Sequence, residues 1–228
     1  VIWLDLSGGE GGQSPVFYNL VVAAAMAGVC LRIPKLSDVD SAERRVIGTQ
    51  AMLLFGIAIQ IKYTVIFEGI FLGLYLIASC VKAGEKIRTL LWSCIVWVAS
   101  ALVPTVLVFF FYYLKGYGNE WWFANIMSVF SRATEDRSEI SRRIYKICLI
   151  TFPFVIFFIV RKCLRLRLSD DQRRQLRFLD MWALTSVLGV VVFGTWYIHY
   201  ALPMFLPLSF QAASLCSFLY YHPELPTK

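Results

Sequence analysis

The stretch "IQIKYTVIFEG", Ile59 to Gly69, sets one lysine and one glutamate inside an otherwise apolar run, and its place relative to the membrane decides the fold. Of the 228 residues, 58% are hydrophobic, 16% aromatic and only 16% charged, and the mean hydropathy is positive. A soluble chain carries about 25% charged residues. Apolar runs fall near 16–31, 46–61, 64–81, 89–113, 145–160, 179–195 and 200–220. Each is close to the roughly 17–25 residues that span a bilayer as a helix. Long continuous runs predict helices, because a membrane β-barrel would show segments of about ten residues alternating apolar and polar. The expected fold is all-α and integral to the membrane: a bundle of about seven transmembrane helices, forming a single domain over residues 1–228.

The charges between the runs orient this bundle. Loop 32–45 carries Arg32, Lys35, Arg44 and Arg45; loop 82–88 carries Lys82, Lys86 and Arg88; loop 161–177 carries Arg161, Lys162, Arg165, Arg167, Arg173, Arg174 and Arg177. Loops rich in Lys and Arg stay cytoplasmic. For the first two to share a side, residues 46–81 must cross twice, and the turn falls at Lys62–Glu68 on the outer face. A lysine there extends its ammonium to water, whereas at the bilayer centre it costs about 2.5–3.5 kcal/mol. The other outer-face segments are 1–15, 114–143 and 195–200. In the middle one, Trp121, Trp122, Phe123, Ile126, Met127 and Phe130 stand among charges. That composition fits either a helix lying in the interface or an aromatic belt. The stretch "RLRLSDDQRRQLR", Arg165–Arg177, reads as a solvated charge run in preference to a polar helix.

The net charge of +7 is spread over loops and forms no basic face or groove-binding motif, which argues against nucleic acid as a partner. The six cysteines form no CxxC pair and read as small buried hydrophobes. His199 and His222 stand too far apart to form a local metal-ligand cluster. No GxSxG, P-loop or HExxH motif is present. Chemistry is therefore expected at the outer helix ends, where the ionisable residues are Asp5, Glu10, Lys62, Glu68 and His199. Lys62, beside Tyr63, is placed to meet a lipid phosphate as a flexible point charge, or simply to snorkel. His199 and Tyr200, in "GTWYIHYALPMFLP", offer hydrogen bonds to a phosphate or a sugar hydroxyl, or belong to an aromatic belt. Glu68 reads as a hydrogen-bonding link between helices more readily than as a base.

Two stretches, "LLFGIAIQIKYTVIFEGIFLGLYLI" (Leu53–Ile77) and "HYALPMFLPLSF" (His199–Phe210), resemble the polyprenyl-phosphate-sugar-dependent membrane glycosyltransferases of the GT-C fold. The likeness is greatest to bacterial relatives of the protein O-mannosyltransferases (glycosyltransferase family 39) and to the lipid A aminoarabinose transferases. The first stretch is similar to the family's small-residue helix ending in an outer-face lysine. The second is similar to its aromatic, tyrosine and proline start of a late helix.

The resemblance implies an enzyme of a bacterial inner membrane that takes a sugar from a polyprenyl-phosphate donor. The sugar passes on the periplasmic face to a protein, glycan or lipid acceptor. It puts Lys62, Tyr63, His199 and Tyr200 at the donor phosphate, and Gln13, Asn19 and Glu68 along the acceptor cavity. No cofactor is assigned; the lipid-phosphate sugar is substrate, and a divalent metal is left open. The family's catalytic carboxylate lies in the first outer loop, yet "GGQSPVFYN", Gly11–Asn19, offers no acid after Glu10. Opening on Val1 with no signal peptide, the chain is expected to be a fragment whose catalytic acid lies upstream. The alternatives are a transporter or flippase of a lipid-linked sugar, which would show broken helices and repeated halves, and a non-catalytic assembly subunit.

Overall fold

The computed structural model describes residues 13–128, 137–163, 168–193 and 196–221. Asp5, Glu10, Phe130, Arg165, Arg167 and His222 lie outside these residues. The helices are α1 (Ser14–Cys30), α2 (Ser41–Ile61), α3 (Ile66–Lys82), α4 (Ile87–Leu114), α5 (Gly118–Trp122), α6 (Arg137–Cys163), α7 (Asp170–Phe193) and α8 (Leu202–Tyr221). Single 3₁₀ turns precede α3 (Tyr63–Val65) and α8 (Ile198–Ala201), and a π turn (Phe123–Met127) follows α5. Among the described residues every element is helical.

The described residues of each of the seven apolar runs lie in a helix or at its ends, but among the described residues length and apolar composition qualify five helices for crossing a bilayer: Tyr63–Lys82, Ile87–Leu114, Ser138–Cys163, Asp170–Val192 and Ile198–Tyr220. The expected count of about seven is corrected to five on that measure. Helix α1, with 17 residues, is about 26 Å long at 1.5 Å per residue. Helix α2 spends its first turn on Glu43, Arg44 and Arg45 and carries Gln50 and Gln60 further on. These five helices make the chain an integral membrane protein.

Local chemistry sets the helix ends. Asp40 caps α2 by accepting from the Glu43 amide at 2.7 Å. Ser169 and Gln172 bond reciprocally at the start of α7, a capping box. Lys62 has extended dihedrals (φ −159°, ψ 125°) and so ends α2 where the 3₁₀ turn begins.

Lipid offers no hydrophobic drive between helices, so the bundle depends on close packing and polar contacts. Tyr18, Val22 and Met26 of α1 meet Ala51 and Phe55 of α2, Leu72 and Leu76 of α3, and Phe178 and Trp182 of α7 in the main core. A smaller cluster joins Ile147 of α6, Val190 of α7 and Phe205 and Leu208 of α8. Helices α2 and α4 run parallel and nearly touch. A Cβ at Gly48 would fall on the Trp97 indole, and one at Gly56 on the Ala101 carbonyl. The Trp97 indole donates to the Arg45 carbonyl at 3.0 Å, and Gln60 donates to Thr105 at 2.5 Å.

The basic segments meet at one end of the bundle. Arg44 is paired with Glu85, and Gln175 donates to the Cys30 carbonyl at 3.1 Å. Several expectations are corrected here. Arg44 is no solvated loop charge: it is 1% exposed, and besides Glu85 it donates to the carbonyls of Leu36, Ser37 and Val39. The run from Asp170 to Arg177 is helical, because the capping box starts α7 there. Likewise α6 begins at Arg137, which shortens the expected outer segment 114–143; Glu139 bonds Arg142 and Arg143 one turn on. Of the cysteines only Cys80 is buried; Cys148, Cys163 and Cys216 are exposed on apolar helix surfaces, where a thiol meets lipid as readily as a methyl group does.

Candidate functional site

The opposite end of the bundle gathers the residues that end α2 and begin α8. Lys62 stands at the break after α2 because its extended backbone lifts it out of the helix. His199 and Tyr200 sit in the 3₁₀ turn that leads to Pro203, the second residue of α8. A proline near a helix start loses no hydrogen bond, since the first amides have no intrahelical acceptor.

These residues converge. The Lys62 ammonium is 5.1 Å from the Tyr200 ring centroid and 5.8 Å from that of Tyr63. Both distances are within cation–π range. His199 meets Tyr200 edge-on, with centroids 4.7 Å apart, and stacks on Tyr197 at 5.5 Å. All four residues expected at the donor phosphate are thus neighbours, each half-buried. Among the described residues Lys62 makes no ion pair, so its charge is not neutralised by a protein carboxylate.

One contributor was missed in the sequence. The Arg143 guanidinium of α6 lies 4.1 Å from the Tyr197 ring centroid. Lys62 and Arg143 therefore contact different rings of one aromatic cluster, since Tyr197 and Tyr200 are 5.8 Å apart. Arg143 read as one more charge in a mixed segment, and nothing in its local spacing links it to a residue 54 positions on.

Glu68 is also placed differently from the expected turn. It lies in the first turn of α3, 3% exposed, and its Oε1 accepts from the Trp182 indole at 2.8 Å and from the Ser186 hydroxyl at 3.0 Å. It is buried inside the bundle, because the 3₁₀ turn Tyr63–Val65 takes up the reversal and α3 starts at Ile66. Glu68, Tyr18, Thr64, Ser186 and Tyr200 line a cavity of about 20 Å³ beneath the aromatic cluster, enough for about one water. Thr64 Oγ1 is buried with no partner among the described residues, which suits such a water. Gln13 and Asn19 do not line this cavity. Gln13 precedes α1, its carbonyl accepting from the Val16 amide at 2.9 Å, and Asn19 keeps on α1 a buried Oδ1 with no partner among the described residues.

The cluster can therefore offer an anion an ammonium with no ion pair among the described residues, an imidazole and phenol hydroxyls on aromatic walls, at the end opposite the basic loops. Comparison of the chain with protein-family models, curated proteins and solved structures finds no match.

Proposed function

We propose that the chain is a GT-C-type membrane glycosyltransferase that binds a polyprenyl-phosphate-linked sugar at the Lys62 cluster and serves a protein, glycan or lipid acceptor. The observation that carries this reading is the convergence of Lys62 with Tyr63, His199 and Tyr200 at the end of the bundle away from the arginine-rich loops. With those loops cytoplasmic, the cluster faces the outer side of the membrane, periplasmic in a bacterial inner membrane.

Departure of the sugar leaves negative charge on the lipid phosphate. The Lys62 ammonium and the hydroxyls of Tyr63 and Tyr200 bind those oxygens, and the interaction strengthens as charge develops. His199, held between Tyr197 and Tyr200, adds an oriented ring nitrogen. Glu68, which accepts from Trp182 and Ser186, serves in this reading as the hydrogen-bonding link between α3 and α7 below the site.

The test is binding of a radiolabelled polyprenyl-phosphate sugar to the purified protein, with sugar transfer to an acceptor hydroxyl measured alongside. Lys62→Ala should weaken donor binding by roughly ten- to a hundredfold, the range of one hydrogen bond to a charged group. Failure of the wild-type protein to bind the donor overturns the reading. Donor binding followed by passage across a vesicle membrane without transfer would identify a flippase instead.

A further inference from the structure

A second cavity lies at the other end of the molecule. It encloses about 470 Å³ between the end of α1, the start of α7 and the end of α8. That is the size of a small-molecule site. Its walls are mainly apolar, with Leu176, Leu179 and Trp182 of α7 and Phe210, Leu215 and Phe218 of α8, while Gln172, Gln175, Ser214 and Ser217 add polar groups. Among the described residues that line it, Arg161, near the end of α6, is the charged one.

The charge balance around Arg161 is unequal. Arg161 and the next residue, Lys162, both pair with Asp180, the lysine at 2.7 Å, so one carboxylate faces two cations. Arg161 is 7% exposed, and its Nε is buried with no acceptor among the described residues. A guanidinium that shares its one carboxylate partner with a second cation favours an anionic oxygen arriving in the cavity it lines. An apolar chamber with a surplus positive charge at its edge matches a molecule that is apolar along its length and anionic at its head. The cavity also opens at the end bearing the basic loops, where a membrane leaflet presents anionic lipids and basic pockets between helices take up their headgroups.

We propose that this cavity binds an anionic phospholipid of the adjacent leaflet. Its phosphate meets Arg161 and Lys162, and an acyl chain lies between α7 and α8. The site is separate from the Lys62 cluster, and nothing in the assignment depends on the glycosyltransferase reading.

Native mass spectrometry of the intact protein in mild detergent provides the test, titrating phosphatidylglycerol against phosphatidylethanolamine, with inorganic phosphate as a third arm. Phosphatidylglycerol should bind at least roughly tenfold more tightly than phosphatidylethanolamine, whose phosphate is the same but whose ammonium brings a further positive charge to Arg161 and Lys162. Phosphate alone should not displace it. Arg161→Gln should abolish the preference. Should that variant fail to fold, Ser214→Trp, which fills the cavity and leaves the Arg161–Asp180 pair in place, should release the lipid. Equal binding of the two lipids, displacement by free phosphate, or undiminished binding by Ser214→Trp would each overturn the assignment.

Discussion

Glu68 and Trp182 are 114 positions apart in sequence and joined by a 2.8 Å hydrogen bond in the interior, the indole donating to the carboxyl of α3. Ser186, one turn further along α7, also donates to that oxygen, but the Trp182 carbonyl is a second acceptor for it at 3.0 Å. The indole has no comparable substitute. Glu68→Gln keeps an acceptor oxygen and should leave stability close to wild type. Glu68→Leu orphans the indole and should cost about 1–3 kcal/mol, and adding Trp182→Phe should recover much of it. Unfolding in mixed micelles measures all three. Full stability in Glu68→Gln with complete loss of sugar transfer would make Glu68 a catalytic residue after all.

The Tyr200 ring contacts both the Lys62 ammonium, 5.1 Å from its centroid, and the His199 ring, which meets it edge-on at 4.7 Å. Removing the hydroxyl separates the two things Tyr200 offers. Tyr200→Phe keeps the aromatic face that steadies the ammonium and loses one hydrogen bond to a charged phosphate, so it should weaken donor binding by roughly ten- to a hundredfold. Tyr200→Leu loses the face as well, a further cation–π contribution of about 0.5–1 kcal/mol. Donor titration of the two variants checks the order. Equal losses would mean that the ring does nothing for Lys62.

Arg44 ties the loop after α1 to the loop after α3 through Glu85 and three backbone carbonyls. Arg44→Ala leaves the Glu85 carboxylate buried alone and should destabilise the protein by about 3–5 kcal/mol. Adding Glu85→Ala removes the stranded charge and should restore part of that loss. Thermal unfolding in detergent of the two single variants and the double variant forms the cycle, and strict additivity would show the pair to be energetically uncoupled.

These residues also show what the sequence could and could not reveal. The helices were legible because hydrocarbon thickness imposes a run length that composition displays directly. Lys62 and His199 could be placed at helix ends because alternation of crossings follows from the loop charges. Arg44 was misjudged for the same reason: counting loop charges treats every arginine alike, and only the folded loop shows three carbonyls converging on this one. The Glu68–Trp182 bond and the cavity beside Arg161 depend on how α1, α3, α7 and α8 assemble. No periodicity within one segment carries that information.

Close approach of α2 and α4 rests on two glycines. At Gly56 an added Cβ meets the Ala101 backbone carbonyl, which cannot swing aside, whereas at Gly73 it meets only the terminal methyl of Met52. Gly56→Ala should therefore cost about 1–3 kcal/mol by forcing the helices apart, and Gly73→Ala should be close to neutral. Comparable unfolding curves for the two variants would mean that α4 is not seated on α2 as described.

Orientation in the membrane is decided by labelling in a cysteine-free background. Lys86 caps α4 at the basic end, and Asn119 lies in α5 beyond its other end; both are exposed. With the arginine-rich loops inside, a membrane-impermeant maleimide added to intact cells should modify Asn119→Cys and reach Lys86→Cys only after permeabilisation. The reverse pattern would put the Lys62 cluster on the cytoplasmic side. A lipid-phosphate sugar displayed outside could not then reach it, and the donor would have to be presented from the inner leaflet.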